Sequence, residues 1–538
     1  MNKRTVLILA ILINFIPLCK GQAPSLIWSQ EKFRSIGRLI AKDNNDNVIV
    51  CGTYGNDVPN DWSEILTIKY DTNGSELWSR RYADTINGGI NRPFDIAIDD
   101  QGNIYVAGST HETSGGLPIT PEILLLKYDP NGNLLWRQEY GDSSNFQGWA
   151  SKLVLRNNSE LTLAGFGQLI SGSSNKAFIA RYDSSGQQKW IYIQPNFYET
   201  FSRDVEVDQA GYSYLCGTTA CCTPGYKMFV TKFDSIGNVV WNTVVRDSAH
   251  IYIANHVSCI DDSANIYLSG ETQDTLFSTG YDCATAKVDS AGNQIWFSSY
   301  TNSNDPNEWE SSNEIVVDSS HCTYIVGTIM NSPNNDGLII KNNSNGSLAW
   351  NHRYNGSGNG DDGFNSIFFT SNSNVLVTGS GVPLPNTNGL CLFLYNLTGT
   401  ELWRIEKVGN YNATNSVEIR NSIYTTGQNG NIDLSWFDDS LFLFKFGDTL
   451  GLDVFPNFDA LPKVLIFPNP FCDYLTISFP DNSNIYFSLS VFNITGELVL
   501  KNYYTSSAVL PTNDFVEGVY LIKLETEEKQ FWMKVVKQ

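Results

Sequence analysis

The chain is poor in the residues and patterns on which most enzymes build a site. Five histidines, His111, His250, His256, His321 and His352, are scattered through 538 residues, and no HExxH, GxSxG, Walker loop or GxGxxG after a strand occurs. Those absences exclude the single-motif metalloprotease, serine hydrolase and nucleotide-binding classes. They leave open a site assembled one residue at a time from separate repeats. No stretch shows the 3.6-residue periodicity of an amphipathic helix, and beyond the first twenty residues no apolar run is long enough to span a bilayer. Basic residues are outnumbered, 35 Lys and Arg against 56 Asp and Glu, for a net charge of −21. Nucleic acid and anionic membrane surfaces are therefore poor partners. The ten cysteines include no CxxC pair with matching histidines, so they do not read as a zinc site.

What the chain does have is repetition. Seven times an aromatic or other residue is followed by Asp or Asn, two turn residues, Gly, three residues and Trp. The glycines are Gly74, Gly132, Gly186, Gly237, Gly292, Gly346 and Gly399, spaced 51 to 58 residues apart. Asp at the first position can accept from backbone two residues on, Pro130 presets a turn, and Gly supplies the left-handed residue that returns the chain. A calcium loop would need ligands at positions 1, 3 and 5 with a bidentate Glu at 12, and no copy has them. The Trp of each copy reads as an inter-blade packing residue, with carbohydrate stacking the lesser alternative.

A second anchor, a strand ending in Gly, occurs eight times, at Gly52, Gly108, Gly165, Gly217, Gly270, Gly327, Gly379 and Gly427. The eighth unit runs through Leu441 to Phe446 into a degenerate turn, Asp448 to Gly451, and lacks its Trp. The missing strand stands at the other end of the chain as Leu26-Ile27-Trp28. A ring hides its sheet edges only by closing on itself, so the N-terminal strand is expected to complete the last blade. Unit two reads as four strands: Phe94 to Asp99, Ile104 to Gly108, Ile123 to Tyr128 and Leu134 to Arg137. The fold expected is all-β: an eight-bladed β-propeller, with seven blades as the alternative, followed by a small C-terminal β-sandwich.

Residues 1–21 read as a secretory leader, with Lys3 and Arg4 before an apolar stretch; Leu18 before Cys19 argues against lipidation. Export permits disulfides; Cys216 with Cys221 or Cys222 is one conceivable pair, while Cys51 and Cys216 read as small core residues. The propeller is placed at 22–455, a Pro-marked linker at 456–462 and the sandwich at 463–538. In that last segment Pro468, Asn469 and Pro470, then Gly496, then Gly518 and Tyr520, then Lys534 and Lys537 occur in order, and the segment resembles the type A C-terminal sorting domain of the type IX secretion system. The resemblance implies passage through the periplasm, recognition of the tail by the type IX machinery, and a mature protein that is secreted or attached to the outer cell surface. The repeats resemble a bacterial β-propeller repeat family named for seven-bladed members, which implies fold and no particular activity.

Candidate ligand-binding residues are sought at the start of each innermost strand, at the channel mouth: Asp95, Ser151, Asp204, His256, Asn313, Asn365 and Asn415. Capping of strand ends is their ordinary role; a polar ring that binds a ligand is the functional one, in which Asp95, Asp204 and His256 could exchange protons. No catalytic residue, metal or cofactor is assigned. The expected function is a non-catalytic binding or adhesion module for glycan or surface protein. The alternatives are a channel-mouth glycoside hydrolase or lyase using carboxylates from different blades, and a structural coat component.

Overall fold

A computed structural model describes residues 23–55, 63–83, 90–112, 121–140, 146–169, 174–195, 199–220, 225–274, 280–301, 308–330, 334–385, 387–430, 439–448, 465–467, 473–478, 487–493, 497–504, 508–516, 518–525 and 530–537. The leader and Cys221 and Cys222 lie outside them. Two compact units divide the chain, one holding residues 28–451 and the other 452–538 together with 24–27.

Among the described residues of the first unit, the β-strands fall into eight antiparallel groups of four. The first strands are Ser35–Lys42, Ile90–Ile98, Phe146–Arg156, Thr200–Val207, His250–Ile260, Trp309–Val317, Gly363–Phe369 and Tyr411–Ile419, and they number blades 1 to 8. A single parallel bridge, Ser63 to Ile90, links blades 1 and 2. Each first strand packs on the first strand of the next blade, and Tyr411–Ile419 packs on Ser35–Lys42, so the circuit closes and the first strands are innermost. The fourth strand of blade 8 is Leu26–Phe33, which flanks Ser440–Asp448. The N-terminus thus supplies the strand that the eighth unit lacks.

Both repeated glycines have a physical cause. Gly132 sits at φ +80° in its turn, and a Cβ there would lie 2.7 Å from the Trp78 ring. The turn is also tied by Asp129, whose Oδ1 accepts from the N–H of Asn131 and Asn133 at 2.9 and 2.8 Å. The indole N–H of Trp78 donates to Pro130 O at 2.9 Å, and Lys69 Nζ donates to the same carbonyl at 3.2 Å. Trp136, Trp190, Trp241, Trp296 and Trp350 dock on the next blade's turn in the same way, at 3.0 to 3.3 Å. The closing strand copies them: Trp28 and Lys445 both donate to Thr72 O, at 3.2 and 3.0 Å. These indoles therefore act as latches between blades.

The strand glycine answers a close approach. Every first strand carries a β-bulge, and at Gly270 a Cβ would lie 1.8 Å from Ala254 O of the bulged strand. The bulge also explains why the first strand of blade 2 begins at Ile90 rather than at Phe94: Pro93 interrupts the strand pattern, but it stands next to the bulge, where a missing N–H is tolerated.

The second unit holds two sheets. Leu465–Phe467, Tyr474–Ser478 and Ala508–Pro511 form one; Leu498–Tyr504, Phe487–Asn493, Gly518–Glu525 and Gln530–Lys537 form the other. Leu475, Ile477 and Leu510 from the first pack with Leu489, Val491, Ile522 and Val535 from the second, which makes the expected small sandwich.

Candidate functional site

The innermost strands have one edge without a partner strand, and their backbone groups there need partners. Side chains at and next to the bulge supply them across blade junctions. Ser151 Oγ donates to Ser202 O at 3.0 Å, Asn313 Nδ2 to Phe364 O at 2.8 Å, Asn365 Nδ2 to Ala413 O at 2.7 Å, and Thr414 Oγ1 to Gly37 O at 3.1 Å. His256 Nδ1 lies 3.4 Å from Ser312 O. One residue further on, carboxylates take N–H groups of the next blade. Asp95 Oδ2 accepts from Leu153 at 2.8 Å, Asp204 Oδ2 from Ser258 at 2.9 Å, and Glu314 Oε2 from Ile367 at 2.7 Å.

The seven residues singled out from sequence therefore do lie on the innermost strands, but mid-strand at the bulge rather than at the strand starts. Ser151, His256, Asn313 and Asn365 are the bulged residues, while Asp95, Asp204 and Asn415 follow Phe94, Arg203 and Thr414, which are bulged in blades 2, 4 and 8. Asn415 accepts from the N–H of Ser416 at 2.7 Å. The bulged position was available in the sequence: counting back fourteen residues from each strand glycine gives it in blades 1 to 7, and thirteen gives Thr414 in blade 8.

Electrostatically this belt is unusual. Lys152 Nζ lies 3.6 Å from Asp95 Oδ2, and the charges of Asp95, Asp204, Glu206 and Glu314 raise its pKa. Burial pushes Asp204 up, against the pull of Lys152. Burial followed by the Asp204 charge pushes Glu206 well above the carboxylate range, and burial pushes Glu314 up. His256 is lowered by burial, with Glu271 opposing at 3.8 Å.

A polar cleft lies elsewhere, across blades 6 to 8 at the end where innermost strands begin. It encloses about 750 Å³ and includes none of the seven residues. Asn335, Asn359, Thr387, Asn388, Asn410 and Asn412 line it with amides and a hydroxyl, together with Asp361 and Asp362 from the single loop before Gly363. Asp362 is buried, and its two oxygens accept from Gly356 N at 2.8 Å and Val382 N at 2.7 Å. It thereby pins the loop 355–360 as one wall, while burial pushes its pKa up to about 6. Sequence periodicity carries no signal for this cleft, because its residues come from the strand ends and loops in which the blades differ.

Among the described residues no group of three or more His, Cys, Asp or Glu side chains is placed to hold a metal ion. The turn aspartates spend their oxygens on turn N–H groups. Cys51, Cys216, Cys259, Cys283, Cys322 and Cys391 are free thiols. In the tail, Pro468, Asn469, Pro470 and Gly496 lie outside the described residues. Gly518 and Tyr520 open one strand, with Tyr520 Oη donating to Val516 O at 2.7 Å, and Lys534 and Lys537 lie on the last strand.

Residues 465–538 match the family described as "Secretion system C-terminal sorting domain" and residues 77–116 match "Beta-propeller repeat". No protein of curated function matches the chain. Solved structures that resemble it include a protein of unknown function from Dyadobacter fermentans, at 10% identity and TM-score 0.36, covering 80% of this chain and all of that one. The polysaccharide lyase Uly1 aligns at 9% identity and TM-score 0.39 over 70% and 93% of the two chains. The extracellular domains 1–2 of Drosophila Semaphorin 1b align at 9% and 0.37 over 79% and 87%.

Proposed function

We propose that this β-propeller repeat protein, exported through its type IX sorting domain to the cell surface or extracellular space, is a non-catalytic binding module for a glycan or a surface protein, with the cleft across blades 6 to 8 as its contact region. The lining of that cleft carries the reading. Amides and hydroxyls dominate it, both carboxylates come from one loop rather than from facing blades, and Asp362 already uses both oxygens on backbone N–H groups. Such a surface offers directional hydrogen bonds without a free acid and base pair.

The hydrolase or lyase reading draws on one observation, the raised carboxylates Asp204, Glu206 and Glu314 beside Lys152. Asp204 and Glu314 serve the backbone of the next blade, which ties them to holding the ring. The test uses the exported full-length protein on a glycan array and in pull-down with outer-surface proteins, alongside the Asn388→Ala/Asn412→Ala double variant. Retention of a ligand that weakens about ten-fold in the variant, with no change in the ligand's covalent structure, is expected. Ligand cleavage abolished by Glu206→Gln would replace binding with catalysis.

A further inference from the structure

At the blade end that carries the cleft, a backbone link recurs between neighbours. The carbonyl at or just before the start of a third strand accepts from an N–H near the start of the next innermost strand: Gly148 to Pro121, Ile253 to Tyr226, Glu310 to Tyr281, Asp362 to Asn335 and Arg34 to Asp439, at 2.6 to 2.9 Å. Each link fixes a pair of positions at a junction, the acceptor and the residue just before the donor. Three of these pairs are Pro121 with Gln147, Asn335 with Asp361, and Asp439 with Phe33. At the two junctions joining blades 4, 5 and 6, both members are aromatic.

Those four rings form an unbroken row. Tyr226 and Tyr252 have centroids 5.7 Å apart, Tyr252 and Tyr281 5.2 Å, and Tyr281 and Trp309 4.9 Å, each pair edge to face. The row is held in place. Tyr226 Oη donates to Glu199 at 2.9 Å and Tyr252 Oη to Glu271 at 3.3 Å. Trp309 backs onto Gly280, where a Cβ would meet its ring at 2.6 Å, and yet it is 47% exposed. The next junction round the circuit is Asn335 with Asp361, and both residues line the cleft. One set of equivalent positions thus runs from fixed aromatic rings into an amide-rich hollow.

We propose that the row and the cleft form one track for a neutral glycan chain, its sugar rings stacking from Trp309 along the tyrosines and its hydroxyls bonding into the cleft. This rests on the binding reading above and names its ligand class. Aromatic faces carry negative charge density that suits the C–H faces of sugars. Glu199 and Glu271 beside the row, in a protein of net charge −21, accept hydroxyl hydrogens and repel uronates or sulfated chains. Because the rings are fixed before binding, little ordering entropy opposes it.

The test is migration of the exported full-length protein through native gels cast with β-glucan, xylan, mannan or polygalacturonate. Retardation in at least one neutral gel and none in polygalacturonate is expected. Trp309→Ala weakens it about thirty-fold, and Trp309→Phe, which keeps a ring, restores most of it. Both variants melt within about 2 °C of the parent, since the side chain is half out of the protein. Retardation only by polygalacturonate, or by none of the gels, overturns the track. Neutral retardation indifferent to Trp309→Ala also overturns it while leaving the binding reading intact, as does capture of a surface protein without any glycan.

Discussion

The two ends of the blades obey different rules. Where third strands turn into fourth, Asp or Asn, Gly and Trp recur seven times: the glycine takes a positive φ, the preceding blade's indole lies on it, and in six copies the first residue's side-chain oxygen accepts from turn N–H groups, while Asn343 donates instead to Ser347 Oγ. At the opposite end the loops vary in length, and equivalent positions hold Pro121, Tyr226, Tyr281, Asn335 and Asp439. Uniformity at one end holds the ring; that leaves the other end free to differ from blade to blade. The lesson concerns division of labour within a repeat: the invariant end answers to backbone geometry, and the variable end is where a ligand can be recognised.

The largest effect should come from breaking the uniform end where the circuit closes. Removing residues 23–33 strips Ser440–Asp448 of its neighbour and leaves the Gly74 turn without Trp28. An open edge of that kind pairs with other chains, so light scattering of the purified variant should show self-association beyond that of the parent. The milder Trp28→Ala leaves the strand but removes the latch, at about 2–3 kcal/mol by denaturant titration. Association no greater than the parent's, with an unchanged unfolding midpoint in both variants, would mean that the circuit is held from elsewhere.

That end was also the part legible in sequence. Only glycine tolerates the turn conformation, and only a small residue admits the bulged strand at Gly270, so residue type reports geometry directly. From those anchors came the four-strand unit and the N-terminal closing strand at Trp28, while the tail sandwich was read separately from strand alternation and the ordered landmarks between Pro468 and Lys537. The site residues were half legible. Asp95, Asp204 and Asn415 stand one place past the bulge because an inserted residue breaks the two-residue alternation by which strand faces are counted. The cleft around Asp362 and the row ending at Trp309 left no trace, since strand ends and loops of unequal length from different blades assemble them.

A second way to sharpen the contrast uses pH, because carboxylates in the two settings shift in opposite directions. In the turns, the Lys189 side chain lowers Asp183 and the Asn238 side chain lowers Asp234. On the innermost strands and in the cleft wall, burial raises Asp204, Glu206 and Glu314, and takes Asp362 to about 6. A raised group binds its proton more tightly folded than unfolded. Its contribution is complete below the ordinary carboxylate range and is lost as pH rises through the folded value. A lowered group contributes above that range and loses its share as pH falls through its own folded value. The melting temperature should therefore rise by a few degrees from about pH 8 to about pH 5 and fall again below about pH 3.5. Asp362→Asn should flatten the part of the rise near pH 6. A melting temperature that falls steadily from pH 8 to pH 5 would show that the buried carboxylates do not govern stability in that window.

The smallest effect separates holding from recognising within the innermost strands themselves. Asn313 and Asn365 each donate one side-chain hydrogen bond across a junction, to Phe364 O and Ala413 O, and a single bond of this kind contributes about 1 kcal/mol. Asn313→Ala and Asn365→Ala should each lower stability by that amount. The two sites lie at successive junctions and share blade 7, so the double variant should be nearly additive, with any coupling reporting strain passed through that strand. Ligand retention should stay at the parental level, because the cleft includes neither residue. The opposite pattern, unchanged melting with retention lost, would move recognition from the variable end of the blades into the channel and make the bulged belt the site. Since the two outcomes differ in both readouts, one thermal scan and one binding measurement on the same pair of proteins decide between them.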